Sequence, residues 1–148
     1  MIVGIHHTAL STRDADRLVR FYRDLFGFEV EFDFPWDEAN EAFKKSHAVP
    51  ESAGRVVMIA NGASRLEIFE YEKPAPRPDI AGRANADLGI AHFAIEVRDI
   101  AKEYARLAAA GMPFQSELVV QTPTIQMAYG RDPDGNLIEL IDFDVPAA

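Results

Sequence analysis

The chain of 148 residues contains no cysteine, is 48% hydrophobic and 10% aromatic, and carries a formal net charge of −9. Such a composition describes a compact globular chain and excludes disulfides, thiolate nucleophiles and thiolate metal ligands. Its 15 lysines and arginines form no basic cluster against 24 acidic residues, which argues against nucleic acid, whose binding depends on neutralised phosphates.

The first predicted element begins at Met1-Ile2-Val3-Gly4-Ile5, read as the start of a strand because it lacks the basic region and long apolar stretch of a signal peptide. No apolar run reaches the length of a bilayer crossing, so the expectations are no membrane and a cytoplasmic location. The strand runs on through His6-His7-Thr8-Ala9-Leu10-Ser11-Thr12, and alternation sets Ile5, His7, Ala9 and Ser11 on one face, opposite His6, Thr8, Leu10 and Thr12. A helix follows, with Asp14 placed as N-cap, Leu18, Phe21, Tyr22 and Leu25 at helical spacing, and Gly27 suited to close it. Next, Trp36, Ala39 and Phe43 recur at roughly helical spacing within 34–47. This reads as an inserted helix that either covers substrate, with Trp36 as its apolar contact, or buries Trp36 and Phe43 at the surface. His47 in this stretch is expected to face solvent. Strand-like runs Val56–Ala60 and Leu66–Tyr71 end the first half.

The second half repeats the first. Gly4, Ile5, His7, Ala9, Arg13 and Asp14 recur as Gly89, Ile90, His92, Ala94, Arg98 and Asp99 at a constant offset of 85, with Leu10 answered by Ile95. Asp99 is placed as an N-cap, Ile100, Tyr104, Leu107 and Ala108 mark the helix, and Gly111 stops it. Strands Ile125–Tyr129 and Leu137–Phe143 follow, the last after the turn Asp132-Pro133-Asp134-Gly135. Each half therefore reads strand, helix and about three strands. A half of this size buries too little surface to stand alone, which predicts one domain of two modules, about 3–72 and 87–145, joined by a linker at about 73–86.

Repetition also pairs chemistry. His7 and His92 both point away from their helices, and each closing strand carries a glutamate among bulky apolar residues, Glu67 and Glu139. A buried ionised carboxylate is costly unless it is paired or meets a cation. Two imidazoles and two carboxylates make a nitrogen and oxygen ligand set for one divalent transition ion such as Ni, Co, Mn, Fe or Zn, leaving two octahedral positions for two adjacent oxygens of a small substrate.

These residues resemble the vicinal oxygen chelate superfamily, which includes glyoxalase I, methylmalonyl-CoA epimerase, extradiol dioxygenases and bleomycin-resistance proteins. The matching stretches are His7-Thr8-Ala9-Leu10 with Arg13-Asp14, Phe21 to Phe28, Leu66-Glu67-Ile68, Gly89-Ile90-Ala91-His92, and Asp132-Pro133-Asp134-Gly135-Asn136-Leu137-Ile138-Glu139-Leu140. The resemblance implies an α+β fold of two tandem βαβββ modules forming a curved mixed-sheet cup, with His7, Glu67, His92 and Glu139 as metal ligands. It implies proton transfer beside a carbonyl through a metal-stabilised enolate or enediolate, with Glu139 or Glu67 as base, in an isomerase, epimerase or lyase. Short bacterial glyoxalase I enzymes present an arginine and an asparagine where this chain has Ser11 and Tyr71, which disfavours glutathione. An Fe(II) ring-cleaving dioxygenase is one alternative and a non-catalytic antibiotic-binding protein another. Exposed strand edges in this fold predict a homodimer.

Overall fold

The computed structural model describes residues 1–76 and 83–143, and the chain divides into two compact units, Met1–Asp79 and Ile80–Ala148. Much of the expected linker therefore lies outside the described residues. The first unit contains β1 (Thr8–Thr12), α1 (Ala15–Phe26), β2 (Glu29–Trp36), α2 (Glu41–His47), β3 (Ala53–Asn61) and β4 (Ser64–Lys73). The second contains β5 (Phe93–Glu96), α3 (Ile100–Ala109), β6 (Val119–Thr122), β7 (Ile125–Arg131) and β8 (Leu137–Asp142). Their sheets have the same strand order, β1-β4-β3-β2 and β5-β8-β7-β6, parallel only at β1 with β4 and at β5 with β8. The fold is α+β, two βαβββ modules, the first carrying α2 as an addition.

Each module buries one sheet face beneath its helix. In α1 the stripe Ala15, Leu18, Val19 and Tyr22 is buried, and it meets Leu10, Val57, Ile59, Leu66 and Ile68, the alternate residues that share one face of a strand. Ile100 and Leu107 of α3 do the same over Ile138 and Leu140. The opposite faces of the two sheets, called here the open faces, carry Glu67, Phe69 and Tyr71 from β4 and Glu139 from β8.

The closing strands also hold the helices by their first turns. Asp14 caps α1 as expected, its Oδ1 accepting from Arg17 N at 2.9 Å, and Gly27 closes that helix at φ 68°. A second carboxylate, Glu70 Oε2, accepts from Ala15 N at 2.9 Å. Asp142 does the same for Ile100 N at 3.2 Å. Asp99 departs from its expected role: it stands at the N-cap position in a left-handed conformation, φ 55°, where Asp14 is extended, and makes no side-chain cap bond. Asp14→Ala should thus cost about 1 kcal/mol in urea denaturation, whereas Asp99→Gly, which suits a positive φ, should leave the midpoint unchanged.

Two further expectations are corrected. Met1–Ile5 is not the start of a strand: β1 begins at Thr8, and Met1, Ile2, Val3 and Ile5 are exposed. Thr8 pairs with Leu66, and just before it β4 gives way to the turn at Gly62, so residues ahead of Thr8 have no ladder to join within this unit. Trp36 does not lie on a helix. It ends β2, paired with Gly54, and α2 starts only at Glu41, where the Asn40 side chain accepts from Phe43 N at 3.0 Å. Pro35 fits this edge strand because it has no N–H to offer a further neighbour.

Candidate functional site

Register brings each predicted histidine to its predicted glutamate. Ala9 pairs with Glu67 in the parallel β1·β4 ladder, and Ala94 pairs with Glu139 in β5·β8. The histidine two residues earlier projects on the same face as that glutamate, since side chains alternate along extended chain. His7 Nε2 lies 3.0 Å from Glu67 Oε2, and His92 Nε2 lies 3.1 Å from Glu139 Oε2. His6 is exposed, with its Nδ1 3.0 Å from the Nδ1 of His7. Each unit by itself thus supplies one imidazole and one carboxylate at hydrogen-bonding distance. Among the described residues no three histidine, aspartate or glutamate side chains gather into a larger cluster.

The two pairs differ in their neighbours. Across the antiparallel ladder Glu139 faces Tyr129, while Glu67 faces Met58. The Tyr129 ring stands edge-on to His92 at 5.2 Å. Burial first, and then the Glu139 charge, push the Tyr129 phenol above its usual range. On the first unit burial and the Glu67 charge push Tyr71 the same way. A phenol raised in the folded state stabilises it fully below the unfolded pKa of about 10 and loses that contribution as pH climbs further. Alkaline denaturation should therefore set in above about pH 10, and Tyr129→Phe should blunt it in a urea series. Glu139 is the more enclosed carboxylate, its side chain 9% exposed against 19% for Glu67. The sequence reading missed Tyr129, although its place on β7 opposite the glutamate follows from counting back through the Asp132–Gly135 turn.

The inserted segment builds an aromatic cluster on the open face of the first sheet. Trp36, 5% exposed, packs with Val56 and Phe69, and Phe43 and Tyr71 lie against them. Phe43 is sandwiched between Trp36, with centroids 4.2 Å apart, and His47, 4.0 Å away. His47 is exposed as expected, yet it is fixed in place by this stack.

A βαβββ unit built twice, each copy pairing an imidazole with a carboxylate at the same register, defines the vicinal oxygen chelate class. The chain belongs to the Glyoxalase/Bleomycin resistance protein/Dioxygenase superfamily, whose family model matches residues 4–140. Among curated proteins it is 30% identical to a 2-epi-5-epi-valiolone epimerase from Actinomyces, over 98% of this chain and 82% of the relative. It is 26% identical to Glyoxalase I of Saccharomyces cerevisiae, over 94% of this chain but only 44% of that longer protein. Among solved structures, a glyoxalase family protein from Bacillus cereus superposes with a TM-score of 0.86 at 20% identity, covering 95% of this chain and 94% of the other, a likeness of fold.

Proposed function

We propose that this chain is a divalent-metal-dependent isomerase, epimerase or lyase that moves a proton beside the carbonyl of a small substrate with two adjacent oxygens. The observation that carries this reading is the twice-built histidine and glutamate pair, at 3.0 and 3.1 Å. Imidazole nitrogen and carboxylate oxygen are the donors that a divalent transition ion such as Ni, Co, Mn, Fe or Zn prefers, so the residues fit the group. His7, Glu67, His92 and Glu139 would hold one such ion, the two pairs coming from one chain or from two copies of a homodimer. When bound, the ion supplies Lewis-acid polarisation of the substrate carbonyl.

The protein's own groups do the rest. Glu67 and Glu139 are the carboxylates available to take and return the α-proton. Tyr129 stands across the ladder from Glu139, beside the His92 ring. The Glu139 side chain is only 9% exposed, which limits the water that can compete for the proton there. The epimerase and the Glyoxalase I among the relatives support the reaction class. No helix among the described residues is long and apolar enough to cross a membrane, and a small molecule met in the cytoplasm is the proposed substrate. The exposed Val30, Phe32 and Phe34 of edge strand β2 support the homodimer.

Elemental analysis of the purified protein, beside the His7→Ala, His92→Ala double variant, tests the metal. About one transition ion per two modules, lost in the variant, is expected. Deuterium uptake at the α-carbon of ketones, thioesters and hemithioacetals in deuterated water tests the reaction. Failure of every class to exchange overturns the proton-transfer reading, and dioxygen uptake with a catechol and Fe(II) would replace it by ring cleavage. An ion-free protein that binds small molecules without turnover would instead be a binding protein of this fold.

A further inference from the structure

We infer that Asn85 and His6 are positioning residues: each holds the ring of one proposed ligand histidine by its Nδ1 and leaves Nε2 for the ion. For the ion this rests on the proposed function, while each ring contact belongs to one unit alone.

Both histidines face their glutamates through Nε2, at 3.0 and 3.1 Å. In both, the other ring nitrogen meets a side chain that can accept. His92 Nδ1 lies 3.3 Å from Asn85 Oδ1, and His7 Nδ1 lies 3.0 Å from His6 Nδ1. An imidazole that gives one nitrogen to a metal keeps its N–H on the other, and the acceptor for that N–H sets the tautomer and the angle of the ring. An amide oxygen can only accept, so Asn85 asks for the proton on His92 Nδ1. His6 does the same for His7 with its own proton on Nε2. A ring fixed before the ion arrives has less rotational freedom to lose on binding.

The repeat does not supply these partners. The counterpart of His6 at the offset of 85 is Ala91, whose methyl cannot accept. Asn85 stands 7 residues from its histidine, while His6 is the immediate neighbour of His7. The same bond is therefore made twice from different residues. His6 can make it because the β1 ladder starts only at Thr8, so strand alternation does not hold the two histidines to opposite faces. Their rings meet edge to face, with centroids 5.3 Å apart.

Asn85 is exposed, but the turn that presents it is tied to the sheet that carries Glu139. Ala84 N donates to Asp87 Oδ2 at 2.8 Å, and Asp87 N donates to the Ala84 carbonyl at 3.1 Å. Arg83 donates from Nη2 to the Leu88 carbonyl at 2.7 Å. Arg131, the last residue of β7, donates to the Arg83 carbonyl and to the Gly135 carbonyl, each at 2.6 Å. Arg131 is paired with Leu137 at the start of β8, and the same two strands carry Tyr129 and Glu139. The His92 ring is thus met by Glu139, Tyr129 and Asn85 from one framework.

Asn85→Leu has nearly the shape of asparagine without its acceptor, and Asn85→Asp keeps an acceptor at the same atom. His6→Phe and His6→Asn do the same for His6, since an amide oxygen of asparagine stands where Nδ1 of histidine does. Zinc affinity by chelator competition and long-range proton–nitrogen spectra of the histidine rings would be measured on the full chain, and neither needs turnover. In the zinc-loaded parent both histidines should carry their proton on Nδ1. Asn85→Leu and His6→Phe should each raise the zinc Kd about tenfold or more and lose the hydrogen-bonded Nδ1–H signal of their own histidine, with urea midpoints unchanged. Asn85→Asp and His6→Asn should keep that signal. Unchanged Kd values and ring signals in Asn85→Leu and His6→Phe, or a zinc-loaded parent with the proton on Nε2, would overturn the inference, each variant deciding for its own residue. A parent that binds neither zinc, manganese nor nickel would sink the proposed function. The ion-free spectra then decide the ring contacts: an Nδ1–H signal that Asn85→Leu or His6→Phe abolishes sustains them, and equal spectra overturn them.

Discussion

Glu139→Gln is expected to lower turnover by about 10³-fold while leaving the protein folded. The substitution keeps the volume of a side chain that is only 9% exposed, and the amide still stands across the ladder from Tyr129. Packing and the β7·β8 ladder are therefore preserved. What disappears is the negative charge facing His92 at 3.1 Å, and with it both an anionic ligand and a carboxylate able to carry a proton. Metal retained after dialysis should fall with activity, by roughly 100-fold or more in affinity. Turnover and elemental analysis on one preparation check both at once. A variant that kept its ion and lost only turnover would assign Glu139 to proton transfer alone. Full retention of both would remove it from the site.

The same substitution at Glu67 is less severe on this reading. Glu67 has Met58 and not a tyrosine across the ladder, and its side chain is twice as exposed as that of Glu139. Among the described residues its side chain pairs with His7 alone, so water can replace part of what the carboxylate does.

The site pairs were legible in the sequence because a repeat converts one ambiguous strand into two that must agree. His7 alone could be mistaken for His6, but the fixed offset to His92 and the alternation toward Glu67 and Glu139 leave one register, and the observed ladders have it. Helix α1 was equally legible, since its buried stripe, its aspartate cap and Gly27 are all local signals. The errors fall where a local signal meets a tertiary one. Met1–Ile5 has strand composition but no partner strand alongside it within its unit. Trp36 and Phe43 do lie on one apolar cluster, as their helical spacing suggested, yet they reach it from the end of a strand and from a separate short helix. Spacing of seven residues cannot distinguish these when the intervening Asp37–Asn40 turn has no proline or glycine to mark it. Glu70, Asp142 and Tyr129 act across strands, and a pairing of that kind is invisible until register is known.

Gly54→Ala should be the most damaging single-methyl change in the first unit, at about 3 kcal/mol, read as a fall in urea midpoint. Gly54 does not have a positive φ, so its freedom of backbone is not the reason. A Cβ there would stand 2.2 Å from the carbonyl oxygen of Glu70, and 2.7 and 2.9 Å from two ring carbons of Trp36. The indole could move, but a backbone oxygen in the middle of a ladder cannot, and here the ladder already shifts register between Ala53 and Gly54. Glycine at such an irregularity lets a neighbouring backbone come close. The missing side chain is also what allows Trp36 to lie across β3 and back the Phe43 and His47 rings. Relieving the clash by displacing Glu70 would strain its bond to Ala15 N at the start of α1. Damage should therefore spread from the aromatic cluster to the first helix. Trp36 emission should shift toward that of an exposed indole at denaturant concentrations where the parent is still native. An unchanged midpoint and an unchanged emission would show that the β3·β4 ladder can yield at this point, and that the stack does not depend on the space glycine leaves.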